Sequence, residues 1–247
     1  MIGRQIVYET EVGSTNDLVA ARGARGEAEG FVLVADSQTA GRGRRGRTWY
    51  SPPGSGLYAS VLLKPPAEVV GLLTLAAAVA LCEAVRESTA LAVEIKWPND
   101  LLAPGGRRKL AGILVEGSAS GSRVEYAVLG FGINVGPSAY PPEIRDRATS
   151  LEEELGRPVD ASSVLSHSLA ALDRRYDDLL DGRAAAVLAR WLELSPGARG
   201  ARVTWAANGV VREGVTAGID AQGALLVRTP AGVERIVSGE VTTCSWR

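Results

Sequence analysis

The sequence predicts an α/β (α+β) fold: a mixed β-sheet flanked by helices and followed by a small C-terminal β-barrel. Three observations carry this expectation. Apolar runs of strand length, such as residues 31–36, alternate with long stretches of helical period at residues 68–88 and 161–180. Helical periodicity stops at Ser195-Pro196-Gly197, where short alternating segments separated by turn residues begin. An apolar content of 46% over 247 residues is enough for a full core. The expected units are residues 1–196 and 197–247, the smaller one leaning on the larger.

Residues 5–9 alternate like a short strand. Ser14-Thr15-Asn16-Asp17 then opens a helix running to residue 24, with Ser14 and Asp17 spaced as a capping box. Ser14, Thr15 and Asn16 there serve either as caps or as the seat of a small polar head group. The strand at 31–36 delivers Gln38, whose amide both donates and accepts and suits loop backbone or a neutral polar ligand. A strand at 57–63 leads to a buried helix at 68–88 behind Pro65 and Pro66. A strand at 92–95 breaks at Lys96-Trp97-Pro98-Asn99-Asp100, where Pro98 holds Trp97 extended. Residues 104–108 form a hairpin loop between it and strands at 109–116 and 123–135. Helices at 148–155, 161–180 and 183–194 cover one face of the sheet. The barrel strands fall at 202–205, 210–219, 224–228 and 233–237, joined by turns at Asn208-Gly209, 220–223 and 230–232.

The stretch Gly41-Arg42-Gly43-Arg44-Arg45-Gly46-Arg47 forms neither helix nor strand readily, since its three glycines raise the entropy lost on ordering. Fixing seven residues costs roughly 7 to 14 kcal/mol, and four charge-assisted hydrogen bonds at ~1.5 to 3 kcal/mol each return a similar sum. The loop is therefore expected to be mobile alone and to close around an anion that arginine forks can grip. A solvated basic turn and an RNA-contacting segment are the alternatives. The net charge of −1 weighs against the RNA reading. Trp49 offers a flat ring beside this grip, for a nucleotide base or for the core.

With 24 arginines the chain carries only three lysines, Lys64, Lys96 and Lys109, so each lysine suggests a need for a compact charge. Lys96, Asn99 and Asp100 gather at a strand end, where they either pair with one another or form a polar ligand site. Lys109 opens a strand in which Gly112 leaves space, and Gly130 and Gly132 let something approach the next strand near Asn134. Neither the dinucleotide nor the P-loop glycine spacing is present. The N-terminus lacks a signal-peptide core and no apolar run is of membrane-spanning length, so a cytoplasmic protein with no membrane partner is expected. Cys82 and Cys244 read as buried reduced thiols, and the lone His167 gives no metal or nucleophile system.

The runs GRGRRGRTW at 41–49, KWPND at 96–100, KLAGILVE at 109–116 and GINV at 132–135 stand in the order and spacing of the biotin-protein ligases, which this chain closely resembles. The resemblance implies a catalytic domain like that of the class II aminoacyl-tRNA synthetases, followed by an SH3-like barrel. It implies that biotin and ATP form biotinyl-5′-adenylate, and that the biotinyl group passes to a lysine of a biotin carboxyl carrier domain. By the same resemblance Ser14, Thr15, Asn16 and Gln38 hold the ureido end of biotin. Arg42, Gly43 and Arg44 cover the adenylate, Trp49 stacks on adenine, and Lys109 reaches the biotin carboxylate and the α-phosphate. Lys96, Asn99, Gly112 and Asn134 complete the binding set, and Asp100 is expected to help deprotonate the acceptor lysine. Mg²⁺ accompanies ATP, with its ligands unassigned. The resemblance leaves a homodimer open. No operator binding is expected, because the chain opens only a few residues before the catalytic strand. The rival readings are a lipoate or octanoate ligase of related fold and an Arg/Gly nucleic-acid module, which does not account for KWPND or KLAGILVE.

Overall fold

Alternation along the strands sorts the main sheet into two unlike faces, and that difference positions the site. The structure, a computed structural model, describes every residue except Ser122, Ala139, Asn208, Glu240, Trp246 and Arg247, with residues 243–245 described by backbone alone. Strands β1 (Gln5–Val12), β2 (Phe31–Gln38), β3 (Gly56–Leu63), β4 (Glu94–Lys96), β5 (Asp100–Leu102), β6 (Lys109–Ser120) and β7 (Arg123–Asn134) form one sheet in the order β1-β2-β3-β7-β6-β5-β4. Only β1 and β2 run parallel, so the sheet is mixed. On β3 and β7, Leu57, Ala59, Val61 and Leu63 with Ala127, Leu129, Phe131 and Ile133 join the large apolar core. The intervening residues Ser60, Gly130, Gly132 and Asn134 point to the opposite face, the period of two putting small and polar groups together there.

Helix α1 (Thr15–Ala24) covers part of that second face through Val19, packed with Phe31, Leu33, Leu62 and Val128. The first face carries α3 (Leu73–Thr89), α6 (Ala161–Leu180) and α7 (Ala184–Leu194), with the short α2 (Ala67–Val70), α4 (Pro142–Arg145) and α5 (Leu151–Leu155) in the connections. Five further strands, β8 (Arg199–Ala207), β9 (Val210–Ile219), β10 (Leu225–Thr229), β11 (Gly232–Ile236) and β12 (Val241–Ser245), pair antiparallel in the order β11-β10-β9-β8-β12. A pairing that closes this small sheet into a barrel is not among the described ones. Trp97 Nε1 donates to Gly223 O at 3.0 Å, joining the β4–β5 hairpin to the β9–β10 turn of the small sheet, and Ser195 Oγ donates to Ile95 O at 2.8 Å, tying the end of α7 to β4. No described helix is long and apolar enough to cross a membrane.

Several expectations change. Ser14 is the N-cap of α1, but its side chain makes no capping bond. Gln38 Oε1 takes the free amide of Thr15 instead, at 2.9 Å, so a neighbouring strand does part of the capping. The helix expected at 68–88 divides at Gly71-Leu72. KWPND, expected as a strand end, is a hairpin turn: Lys96 pairs with Asp100 across β4 and β5, and Trp97-Pro98 is cis. Helix α5 starts only at Leu151, because Ser150 and Glu153 form a true capping box in front of it. The turn residue Asn208 and the side chain of Cys244 lie outside what is described.

Candidate active site

A cavity of about 570 Å³ opens on the polar face of the main sheet, and the residues that the resemblance assigns to the site, from Ser14 to Asn134, line it, whereas Lys64 does not. The hairpin β4–β5, the glycines of β6 and β7, the start of α1 and the arginine loop converge there. The deep part is a hydrogen-bonded cluster. Ser60 Oγ lies 2.8 Å from Thr15 Oγ1 and 2.6 Å from Asn16 Oδ1, and Thr15 Oγ1 lies 3.2 Å from Gln38 Oε1. Two hydroxyl protons serve three oxygen–oxygen contacts, so the cluster is one donor short and has acceptor lone pairs to spare. Ser14, Thr15 and Asn16 are each under 5% exposed, a burial that makes a partner for spare capacity favourable. Gln38 is held from behind, its Nε2 donating to Ser51 Oγ at 2.9 Å.

The floor is made by absent side chains. Gly112 on β6 and Gly132 on β7 stand directly opposite one another, and the ring of Trp49 lies over both. A methyl at Gly132 would run into Trp49 Nε1, and one at Gly112 would come within 3.2 Å of Lys109 Nζ. Gly130 gives the same room to Asn16. The close approach expected at these glycines is thus made by the chain's own side chains. Trp49 Nε1 is buried with no hydrogen-bond partner among the described residues, an orphaned donor at the cavity wall.

Charge is lopsided. Among the described residues around the cavity eight are Arg or Lys and one, Asp100, is acidic. Asp100 Oδ1 lies 2.6 Å from Lys109 Nζ, which stands 5.1 Å over the Trp49 ring. Burial lowers the Arg44 pKa, the neighbouring Arg45 adds to that, and Asp100 partly offsets it. Arg44 Nη1 lies 3.4 Å from Asn99 Oδ1, while Asn99 Nδ2 donates to Ile113 O at 2.7 Å, so Asn99 braces the hairpin against β6. Lys96 makes no ion pair among the described residues. Asn134 lines the cavity, yet its amide nitrogen donates to Thr149 O at 2.9 Å, tying β7 to the segment before α5. That segment also crosses Lys109, whose N donates to Arg147 O at 2.7 Å.

The arginine loop makes contacts within itself and with its surroundings. Gly43 N donates to Arg47 O at 2.7 Å, and Arg42 Nη2 reaches Asp17 Oδ1 at 2.6 Å and Glu116 Oε2 at 2.8 Å. The chain supplies carboxylates to its first arginine, a pairing that a motif read alone does not reveal. Arg45 sits in the left-handed region at φ 58°, which costs a non-glycine residue roughly 1 to 2 kcal/mol.

Comparison with known proteins decides the family. A model described as the biotin/lipoate A/B protein ligase family matches residues 11–134, and one for the biotin protein ligase C-terminal domain matches residues 200–242. The chain is 35% identical over 245 residues to the bifunctional ligase/repressor BirA of Bacillus subtilis, covering 98% of this chain and 74% of the relative. The chain belongs to the biotin protein ligase family. Another member, the biotin--[acetyl-CoA-carboxylase] ligase of Paracoccus denitrificans, is 35% identical over 253 residues, with 96% of this chain and 98% of the relative covered. The biotin protein ligase of Aquifex aeolicus, solved in complex with biotin and ATP, superposes with a TM-score of 0.79 at 31% identity, covering 97% of this chain and 98% of that one.

In this ligase the motif reading overlooked Ser60, Glu116, Asp17, Tyr140 and Arg147. Ser60 and Glu116 were within reach of strand alternation, which places Ser60 with Gly130 and Glu116 with Gly112 on the open face. Tyr140 and Arg147 had no signal, since they arrive on an irregular connection that only the fold brings back to Lys109.

Proposed function

We propose that this ligase activates biotin with ATP, giving biotinyl-5′-adenylate and pyrophosphate, and passes the biotinyl group to a lysine of a biotin carboxyl carrier domain. The observation that carries the reading is a cavity with a neutral, buried hydrogen-bonding end and a cationic mouth. That polarity matches a molecule with an uncharged ureido ring at one end and an activated carboxylate beside phosphates at the other. Ser14, Thr15, Asn16 and Gln38 seat the ring, with the first site contributed by α1 and the second by the end of β2. Arg42, Gly43 and Arg44 belong to the loop over the adenylate. Trp49 on its glycine floor stacks on adenine through rearrangement of the loop that carries it.

Lys109 leaves Asp100 to meet the biotin carboxylate and the α-phosphate, offsetting the charge that develops at phosphorus as pyrophosphate departs. Asp100, released from that pair, is placed to accept the proton of the incoming acceptor lysine. Lys96, Asn99, Gly112 and Asn134 frame the same space, Asn99 and Asn134 by holding the hairpin and β7 in position. Mg²⁺ would accompany the ATP phosphates and neutralise part of their charge, with its ligands unassigned. Loop closure over the adenylate excludes water from a mixed anhydride.

In this reading residues 1–196 carry catalysis and residues 197–247 form a second unit. The carrier domain is the protein partner and the reaction is cytoplasmic. Nucleic acid has no part, since the arginine loop is absorbed into a small-molecule cavity, and a mobility shift at physiological salt checks this. A homodimer is tested by light scattering. Biotin-dependent exchange of pyrophosphate into ATP is the deciding assay. The expected result is exchange with biotin and none with lipoate or octanoate; exchange with lipoate alone would overturn the biotin assignment.

A further inference from the structure

Glu116 lies where the buried seat and the arginine loop meet. Its Oε2 accepts from Asn16 Nδ2 at 2.7 Å and from Arg42 Nη2 at 2.8 Å. Resting on the ligase reading above, we infer that Glu116 is a positioning residue that couples the seat for the biotin ring to the anchorage of the arginine loop.

The seat depends on which way the Asn16 amide is turned. Ser60, on its other side, has a hydroxyl that can donate or accept, so it cannot choose. A carboxylate only accepts. Glu116 at 2.7 Å, with the Leu114 carbonyl at 3.5 Å as a weaker second acceptor, therefore fixes the nitrogen of Asn16 away from Ser60 and its oxygen toward Ser60, and with them the pattern of donors and acceptors shown to a neutral ring. Asn16 is 4% exposed, so a wrongly turned amide has no water to correct it.

The second donor holds the loop. Arg42 bridges Asp17 on α1 and Glu116 on β6, which pins the loop at its first arginine. Arg42 is thus an anchor, and Arg44 and Arg45 carry the grip. Because one oxygen serves both donors, a change at either shifts the other, and the coupling is reciprocal. The Arg42 side is 42% exposed and screened by solvent, so the loop half of the effect is the smaller.

The test uses the full chain and three measurements: biotin KM and kcat in pyrophosphate exchange, and the rate at which preformed biotinyl-adenylate escapes the enzyme. Glu116→Gln is expected to raise biotin KM roughly tenfold with kcat within about twofold, the loss of one charge-assisted bond at a buried group. It is expected to speed adenylate escape about threefold, the scale of an exposed ion pair. Among the described contacts Asp17 touches Arg42 alone, so Asp17→Asn is expected to speed escape with a rise in biotin KM well below that of Glu116→Gln, which keeps the loop half testable even if the Glu116 variant folds poorly. Escape from the wild type should rise with ionic strength more steeply than from Glu116→Gln. A Glu116→Gln enzyme with wild-type KM and wild-type escape overturns the inference, as does an Asp17→Asn enzyme whose KM rises equally. Wild-type protein without biotin-dependent exchange sinks the ligase reading itself, whereas normal wild-type exchange with an unaffected Glu116→Gln sinks this inference alone.

Discussion

Lys109 Nζ lies 2.6 Å from the Asp100 carboxylate and 5.1 Å from the Trp49 ring centre, and the proposed reaction gives this ammonium the charge that develops at phosphorus. Removing its charge withdraws electrostatic stabilisation from the transition state more than from bound biotin. Lys109→Gln should lower kcat for pyrophosphate exchange by about 10²- to 10³-fold, the range for one preorganised donor, with a smaller change in biotin KM. Asp100→Asn should instead slow transfer from preformed adenylate to the carrier; transfer at the normal rate excludes Asp100 as the base. Gly132→Ala should expel the Trp49 ring, and ATP KM should rise while biotin KM holds. Motifs made Lys109, Trp49 and Asp100 legible, because rare residue types stood in dense clusters. Glu116 and Ser60 escaped notice because each is an ordinary residue whose meaning comes from the strand face it shares. The carboxylate partners of Arg42, Asp17 and Glu116, are distant in sequence and meet it only in space.

At the scale of elements, α6 was legible in full from Ala161 to Leu180, since its apolar period is uninterrupted and Asp160 caps it through Ser162 N at 2.9 Å. The strand β5 was not, because three residues after a proline carry no period. Helices α3, α6 and α7 are held by Glu83, whose carboxylate receives Arg175 Nη2 at 3.0 Å and Arg190 Nε at 2.8 Å. Glu83 is 8% exposed, so its removal leaves two guanidinium groups without a shared partner. Glu83→Gln should cost about 1 to 3 kcal/mol in urea unfolding, below the full figure for a buried pair because both arginines keep contact with water. A neighbouring carboxylate gives a pH signature. Burial opposes ionisation of Asp178, but hydrogen bonds from Arg183 and Arg175 prevail and its pKa is lowered. Its contribution is therefore complete above about pH 4, the unfolded carboxylate range, and fades as pH falls through the lower folded value. Asp178→Asn should flatten the fall in stability below that pH, as followed by urea midpoints across an acid series.

The molecule as a whole has a large apolar core shared by both sheets. Val203, Trp205, Leu225 and Val227 of the small sheet belong to the same cluster as the buried side chains of α3 and α7. Gly223 lies against Leu75, and its carbonyl takes the Trp97 indole from the hairpin of the site. The two sheets should therefore melt together: calorimetry of the full chain is expected to give one transition with equal calorimetric and van't Hoff enthalpies. A chain cut after residue 196 should aggregate or melt well below the parent. Forming the adenylate should also protect Arg44 and Arg45 from trypsin while leaving other exposed arginines cleavable. The facing pair Gly112 and Gly132 has a last consequence, and it is genetic. Glycine and alanine codons differ by one base, so a single point mutation at either site would plug the slot under the indole without touching any reacting group. Both codons should thus be guarded by purifying selection for what they leave out, and a mutational scan should score them among the least tolerant positions in the gene.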